Sequence, residues 1–252
     1  MEQSVLRIAA VSDIHYSRHT QGKFNDVFEH ASSEADVFCI CGDLTDYGLP
    51  EEAAVLASDL RAHLRIPVLA VLGNHDFESG MHNEVADVME EAGVTVLDGA
   101  CSEIGGVGFA GISGFGGGFG ERMLNGWGER TIKDFVQAAV DEELKLEKAL
   151  ARLEVPTRVA LLHYSPIRET VQGESLEIYP FLGSSRLEEP LNRYHVAAAM
   201  HGHAHNGSPE GKTATGIPVY NVSINVLKQS FPNGRSYRII EVPRENGKGP
   251  SA

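Results

Sequence analysis

The chain has 252 residues, of which 42% are hydrophobic, and its 21 Lys and Arg against 35 Asp and Glu give a formal net charge of −14. This length and composition can bury a sizeable core, so we expect a single domain over residues 1–245 and a disordered tail over 246–252. The negative charge repels polyanions and argues against general nucleic-acid binding, but it does not exclude a small phosphate-bearing substrate.

Short apolar runs recur along the chain at the length of β-strands. The predicted buried strands are residues 5–12, 37–41, 68–72, 159–162 and 196–200. More closely spaced runs predict added antiparallel or mixed strands at residues 94–97, 107–112, 217–222 and 237–242. In the first half of the chain the strands alternate with helix-like segments, which favours parallel pairing and a layered α/β sandwich.

Three helices have clear sequence signals. Pro50 opens the first and is followed by acids in the first turn, as the helix dipole favours. Asn83 is predicted to cap a second helix that runs to Gly93. The longest is predicted over residues 131–153, where apolar positions follow helical spacing and charges fill the other face.

The segment from residue 111 to residue 130 is unusually rich in glycine, and we expect a long mobile loop there. Two interpretations are open. The loop is either a flap that borders the functional site, with Phe115, Phe119 and Trp127 as its apolar surface, or a connector whose aromatic side chains pack on the sheet edge.

The cysteines Cys39, Cys41 and Cys101 lack the spacing of zinc or redox motifs. Cys39 and Cys41 lie two apart in a predicted strand, so both are expected to point to one face and into the core. Neither a signal peptide nor an apolar stretch of membrane-spanning length is evident in the sequence. We therefore expect a cytoplasmic protein without membrane association.

Polar clusters follow the buried strands, where strand ends would deliver their side chains to one edge of a sheet. The clusters are Asp13-Ile14-His15, Gly42-Asp43, Gly73-Asn74-His75-Asp76, His163 and Gly202-His203-Ala204-His205. Carboxylates, imidazoles and an amide carbonyl suit Mn, Fe, Zn or a similar divalent ion. Asp43 can place one oxygen on each of two ions about 3.5 Å apart, so the sequence predicts a centre with two divalent metal ions.

Each fragment alone is weak evidence, because isolated histidines more often make ordinary hydrogen bonds than bind metals. Together they are strong, since among the 11 histidines those at or just past strand ends are the ones in the clusters. His19 is left unassigned. The histidines expected to be solvated or structural are His30, His63, His82, His195 and His201.

This ordered series resembles the calcineurin-like metallophosphoesterases, whose signature is D-x-H, G-D, G-N-H-[DE], H and G-H-x-H over about 200 residues; every element is present. The resemblance implies a four-layer αββα sandwich of two mixed sheets flanked by helices. It also implies that His75 is catalytic and that Asp76 orients it. The implied ligands are Asp13, His15, Asp43 and His205 for one metal, and Asp43, Asn74, His163 and His203 for the other.

The predicted activity is hydrolysis of a small-molecule or nucleotide phosphoester by a metal-activated hydroxide, with His75 stabilising charge or protonating the leaving oxygen. Cyclic-nucleotide phosphodiesterases share the motifs and remain a candidate subclass. A metal-dependent nuclease is a second alternative, which the acidic charge and the lack of a basic, aromatic-interleaved stretch disfavour. A third is a non-catalytic binding module of the same fold. The choice between monoester and diester and the oligomeric state stay open.

Overall fold

The computed structural model describes residues 5–231 and 235–244, which form two β-sheets with helices on their outer faces. The strands are β1 (Val5–Val11), β2 (Val37–Cys41), β3 (Val68–Val71), β4 (Val94–Val96), β5 (Ala100–Ile104), β6 (Val107–Gly111), β7 (Arg158–Leu161), β8 (Ala198–His201), β9 (Glu210–Lys212), β10 (Pro218–Asn221) and β11 (Arg238–Pro243). The α-helices are α1 (Asn25–Glu34), α2 (Pro50–His63), α3 (His82–Glu91), α4 (Arg130–Ala151), α5 (Tyr179–Leu182), α6 (Glu188–Arg193) and α7 (Ile224–Ser230). The tail predicted at 246–252 lies outside the described residues.

The first sheet has the strand order β11-β1-β2-β3-β4. Strands β1 to β4 pair in parallel, while β11 pairs antiparallel with β1 at the sheet edge. Every residue of β2 and β3 is buried, because helices cover one face of the sheet and the second sheet covers the other. Burial on both faces explains why these strands are continuous apolar runs in the sequence.

The second sheet has the order β5-β6-β7-β8-β10-β9 and mixes parallel with antiparallel pairs. Its side chains alternate between two cores, as strand geometry requires. Phe109 and Val159 pack toward the first sheet, whereas Ala110 and Ala160 pack with Leu146 and other residues of α4. The resulting order of layers is helix, sheet, sheet, helix, so the predicted αββα sandwich is confirmed.

The predicted elements differ from the observed ones mainly at sheet edges and at helix ends. The run at 94–97, predicted as an antiparallel or mixed strand, forms β4, which pairs in parallel with β3 at the edge of a mixed sheet. Asn83 is the second residue of α3, which begins at His82, and no side-chain cap is present there. Elements without a sequence prediction are α1, α5, α6, α7, β5 and β9.

The glycine-rich segment at 111–130 is packed in its first half, which corrects the expectation of a mobile loop throughout. Gly116 and Gly118 are buried, and Gly118 forms a bridge with Ser184. The ring of Phe115 lies 5.0 Å from that of Phe135 on α4, while Trp127 in the second half is exposed. The first half is therefore a buried segment in which glycine permits close packing, and Phe115 packs on α4 rather than on the sheet edge.

Two further expectations concern the burial of the cysteines and the absence of a membrane-spanning segment. Cys39 and Cys41 are both buried and free, as predicted, and Cys101 is free and half-buried. Among the described residues, no helix has the length and apolarity needed to cross a membrane.

Close packing of the loop predicts that alanine destabilises the protein at one of its glycines and has little effect at another. A Cβ at Gly116 would lie 2.5 Å from the carbonyl oxygen of Pro180, whereas a Cβ at Gly126 would meet only Val136, at 3.9 Å. We expect Gly116→Ala to lower the free energy of unfolding by about 1–3 kcal/mol because the contact forces the backbone apart. The control Gly126→Ala should change it by no more than about 1 kcal/mol. Equal values in denaturant titrations of both variants would contradict packing of this segment.

Candidate metal centre

The predicted site residues meet where strands from both sheets end. Strands β1, β2 and β3 deliver the first three clusters, and β7 and β8 deliver the last two. Backbone bonds continue past the strand ends and hold the segments together: the Asp13 N–H donates to the Gly42 carbonyl at 3.1 Å, and the Gly202 N–H donates to the His163 carbonyl at 3.1 Å. The Ser12 N–H donates to the Val222 carbonyl at 2.8 Å and joins the two sheets at this edge.

The first group of candidate ligands contains Asp13, His15, Asp43 and His205. Each offers one ligand atom, and these atoms all lie within 4.8 Å of one another. His205 Nε2 is 3.2 Å from Asp13 Oδ1, and His15 Nε2 is 3.7 Å from Asp43 Oδ2. The Nδ1 atom of His15 is buried and forms no hydrogen bond within the described part of the chain.

The second group contains Asp43 again, with His163 and His203, and its ligand atoms also lie within 4.8 Å of one another. His163 Nε2 is 3.4 Å from Asp43 Oδ1 and 2.9 Å from Asn74 Oδ1. Asp43 therefore faces the first group through Oδ2 and the second group through Oδ1.

Hydrogen bonds at the outer ring nitrogens fix which nitrogen points into the centre. His163 Nδ1 donates to the Cys41 carbonyl at 2.9 Å, and His203 Nε2 donates to the Phe181 carbonyl at 3.1 Å. In neutral rings, His163 Nε2 and His203 Nδ1 are then lone-pair acceptors. Together with the oxygens of Asp43 and Asn74 they form a set of acceptors facing one another, which a divalent cation satisfies.

The glycines of the motifs lie where neighbouring segments approach too closely for a side chain. A Cβ at Gly42 would lie 2.3 Å from His163 Nδ1, and a Cβ at Gly73 would lie 2.2 Å from Asp43 Oδ1. A Cβ at Gly202 would lie 1.9 Å from the hydroxyl oxygen of Ser12. Any larger residue at these positions would displace His163, Asp43 or Ser12 at the site.

Backbone strain is concentrated at the same residues. Asp13, His15, Asp43 and His203 have φ angles of 59°, 43°, 50° and 67°, in the left-handed region that side chains other than glycine rarely adopt. Among the described residues, the remaining non-glycine case is His195. Such strain is typical of functional sites, where surrounding bonds hold residues in place.

The electrostatics of the centre suit cation binding. Burial raises the pKa of Asp43 to about 6, assisted by the nearby carboxylates of Asp13 and Asp76. Burial opposes ionisation of Asp13 as well, but the hydrogen bond from His205 and the surrounding histidines hold its pKa below the usual value. Burial lowers the pKa of His15 to about 4 and that of His203 to about 3, so both candidate ligands are uncharged rings at neutral pH.

His75 and Asp76 are arranged differently from the expectation. His75 Nδ1 donates to the Asp46 carbonyl at 2.7 Å, so Asp46 and not Asp76 holds the ring. The carboxylate of Asp76 is buried and accepts bonds from the N–H groups of Leu44, Thr45 and Gly73 and from the Thr45 hydroxyl. The orienting role implied for Asp76 is therefore not exerted through a hydrogen bond to the His75 ring. Asp76 instead joins the segment after β2 to the segment after β3.

Asp46 is the residue near the centre that sequence reasoning missed. Its Oδ1 lies 3.8 Å from His15 Nδ1, and it groups with His15 and His75 as a third set of close ligand atoms. The sequence signal that could have identified Asp46 is its position three residues after Asp43, in the same segment past β2. His201 is buried and bonded to Thr170 and to the Gly202 carbonyl, which matches the structural role expected for it, and His19 is exposed away from the groups.

An open pocket of about 280 Å³ lies over the centre. Asp43, Asn74, His75, His203 and His205 form its floor. Its rim is formed by Glu174, Ile178, Leu182 and Asn206. The volume suits a phosphate group with a small part of its ester.

Comparisons with known proteins bear on the fold and the family of the chain. A comparison with curated proteins found no significant match. Among solved structures, the fold is similar to phosphopantetheinyl hydrolase (PptH) from Mycobacterium tuberculosis, with a TM-score of 0.65, 15% identity and coverage of 97% of this chain and 98% of that one.

Two further solved structures share the fold. TT1561 of Thermus thermophilus has a TM-score of 0.55 and 15% identity, covering 95% of this chain and 99% of that one. GAP50, the anchor in the inner membrane complex of Plasmodium, has a TM-score of 0.54 and 13% identity, covering 88% and 73%. The family model described as calcineurin-like phosphoesterase matches residues 6–207, and the chain belongs to that family.

Proposed function

We propose that this protein hydrolyses small-molecule phosphoesters with the help of two divalent metal ions. The observation that carries the proposal is the position of Asp43, whose two carboxylate oxygens face two separate groups of ligands. A carboxylate shared in this way is the arrangement that a pair of adjacent cations needs. The structural neighbour from Mycobacterium tuberculosis is a hydrolase, which supports the same reaction class.

Asp13, His15, Asp43 and His205 would hold one ion, and Asp43, Asn74, His163 and His203 the other. This mixture of carboxylate, imidazole and amide oxygen suits Mn, Fe or Zn. When bound, the ions would supply Lewis-acid polarisation of the phosphate and a more acidic water.

His75 is the group proposed to act on the leaving oxygen. Its Nδ1 is fixed by the Asp46 carbonyl, and the ring lines the pocket over the centre. In hydrolysis, a water oxygen joins phosphorus and the bond from phosphorus to the alcohol oxygen breaks. His75 Nε2 would donate the proton that this alcohol oxygen then needs.

Asp76 supports this arrangement indirectly. Its carboxylate accepts bonds from Gly73, directly before Asn74 and His75, and from residues directly after Asp43. It therefore sets the distance between the segments that carry the shared ligand and the proposed acid. Its role is positioning rather than catalysis.

The alternatives are less well supported. GAP50 is an anchor protein that shares the fold, so the fold alone does not separate an enzyme from a scaffold. The complete ligand set and His75 favour hydrolysis. The net charge of −14 disfavours a nuclease, and a cyclic-nucleotide substrate, a choice between monoester and diester and a cytoplasmic location remain predictions.

Replacement of the shared ligand should remove the metals. We expect wild-type protein reconstituted with Mn, Fe or Zn to bind two ions per chain, and Asp43→Asn to bind fewer than one, because both ions lose an anionic ligand. Elemental analysis of the folded proteins measures this, with Asp87→Asn on the exposed face of α3 as the control. Retention of two ions by Asp43→Asn would contradict the shared role.

Replacement of His75 should separate binding from chemistry. His75→Ala should retain its metals but lose about 10²–10⁴-fold in kcat toward p-nitrophenyl phosphate or bis(p-nitrophenyl) phosphate, the range expected for an acid–base group. His30→Ala, at an exposed position of α1, should keep wild-type kcat. Loss of metal from His75→Ala would show that His75 is a ligand or a structural support instead.

Asp76→Asn should affect stability as well as turnover. The carboxylate oxygens of Asp76 accept hydrogen bonds from backbone N–H groups, and the NH₂ group of an asparagine would face some of these donors without accepting from them. We therefore expect the free energy of unfolding to fall by about 2–4 kcal/mol. The exposed control Asp87→Asn should stay within about 0.5 kcal/mol of the wild type. Wild-type stability together with reduced kcat in Asp76→Asn would argue for a direct catalytic role.

A further inference from the structure

A larger pocket of about 700 Å³ lies beside the metal centre, in the cleft between the two halves of the sandwich. One wall comes from α3 and the end of β4, and the other from α4 and the segment after β6. Asn74 lines both this pocket and the pocket over the centre. Tyr164 also lines it, and its ring centroid lies 4.5 Å from that of His203. A molecule held at the centre that extends past Asn74 would enter this space.

The walls of this pocket are mainly apolar and aromatic. Phe77 and His82 have ring centroids 4.5 Å apart on one side, and Phe115 and Tyr164 have centroids 5.8 Å apart on the other. Phe77 is 42% exposed although it adjoins a concave site. The Nδ1 atom of His82 is buried and lacks a hydrogen-bond partner among the described residues. The surface therefore offers apolar contact to a ring.

The charged groups in the pocket have an excess of negative charge. They are Asp98, Asp141, Glu142 and Lys145. Lys145 Nζ is 2.9 Å from Asp98 Oδ1 and 2.8 Å from Glu142 Oε1, so two carboxylates already neutralise the single ammonium of the lining. The pocket thus repels a further anionic group and accepts a neutral or cationic one.

We propose that this pocket binds the alcohol part of the phosphoester and selects uncharged or cationic alcohols with an aromatic or apolar body. The inference rests on the proposed function, because it assigns the phosphate to the metal centre. The two pockets have opposite electrostatic preferences once cations are bound, so the ester can bind productively in one direction only. The phosphate faces Asn74 and His75, and the alcohol lies between the aromatic walls.

A series of aryl esters of nearly equal size tests the charge preference. The probes are 4-carbamoylphenyl, 4-(aminomethyl)phenyl and 4-carboxyphenyl esters, as phosphates or as methyl diesters, whichever the metal-loaded protein hydrolyses. Asp141→Lys reverses one charge of the lining at an exposed position of α4. Asp134→Lys makes the same change at an exposed position of α4 outside the lining and is the matched control.

We expect Asp141→Lys to raise the ratio of kcat/KM for the carboxyphenyl ester to kcat/KM for the carbamoylphenyl ester by roughly 3- to 30-fold. This is the size of effect expected from a charge that solvent partly screens. Comparing ratios between proteins cancels the different acidities of the three phenols. Asp134→Lys should leave the ratio unchanged. An unchanged ratio in Asp141→Lys would overturn the charge preference.

Filling the pocket tests where the alcohol binds. Ala138→Trp places a large side chain in the lining, and Leu144→Trp, at an exposed position of the same helix outside the lining, is its control. We expect Ala138→Trp to raise KM for the aryl esters about tenfold while the inhibition constant of inorganic phosphate stays at the wild-type value, because phosphate needs only the metal centre. Wild-type KM in a folded Ala138→Trp protein would overturn the proposal.

Calorimetry with the free phenols separates failure of this inference from failure of the proposed function. 4-Hydroxybenzamide and 4-hydroxybenzylamine should bind wild-type protein more tightly than 4-hydroxybenzoate does, and Ala138→Trp should abolish binding. This result, combined with no hydrolysis of any ester, would refute the proposed phosphoesterase while retaining a site for such alcohols. Hydrolysis without any binding or charge preference would refute the pocket assignment alone.

Discussion

The shared carboxylate of Asp43 is the constraint on which the rest of the site depends. Its two oxygens face His15, from the first sheet, and His163, from the second. The two sheets must therefore meet at their strand ends with almost no side chain between them, which explains the glycines at 42 and 73. A buried carboxylate close to other carboxylates is unfavourable alone, so cationic partners would stabilise this packing.

The candidate site could be predicted from the sequence because the same feature produces both the strands and the ligands. A parallel strand buried on both faces is an apolar run, and the first polar residues after it lie at the sheet edge, as Asp13 and Asp43 do. Helix α1 and strands β5 and β9 gave no comparable signal. Few residues of α1 are buried, and β5 and β9 are edge strands with partly exposed residues whose formation depends on pairing with a neighbour.

Contacts between segments that are distant in the sequence could not be predicted from it. The family resemblance implies that Asp76 orients His75, but the 3-10 turn at Asn74–Phe77 directs the Asp76 carboxylate toward the backbone after β2. Likewise, the composition of residues 111–130 indicated flexibility, although Gly116 is needed where the chain passes Pro180. In both cases the function of a residue is set by a partner far away in the sequence, and no local pattern identifies that partner.

The positions of the two pockets suggest that chemistry and selectivity reside on different parts of the fold. The candidate ligands follow strand ends and are held by buried hydrogen bonds, so a change there disturbs several bonds at once. The lining of the larger pocket comes mostly from helix faces and from Phe77 and Phe115, and Asp141 on α4 is exposed and bonded only to Gln137 among the described residues. Under the proposed function, a substitution on α4 would therefore alter which alcohol is accepted without moving a candidate ligand. This separation would allow one proposed metal centre to serve different phosphoesters through changes confined to the cleft.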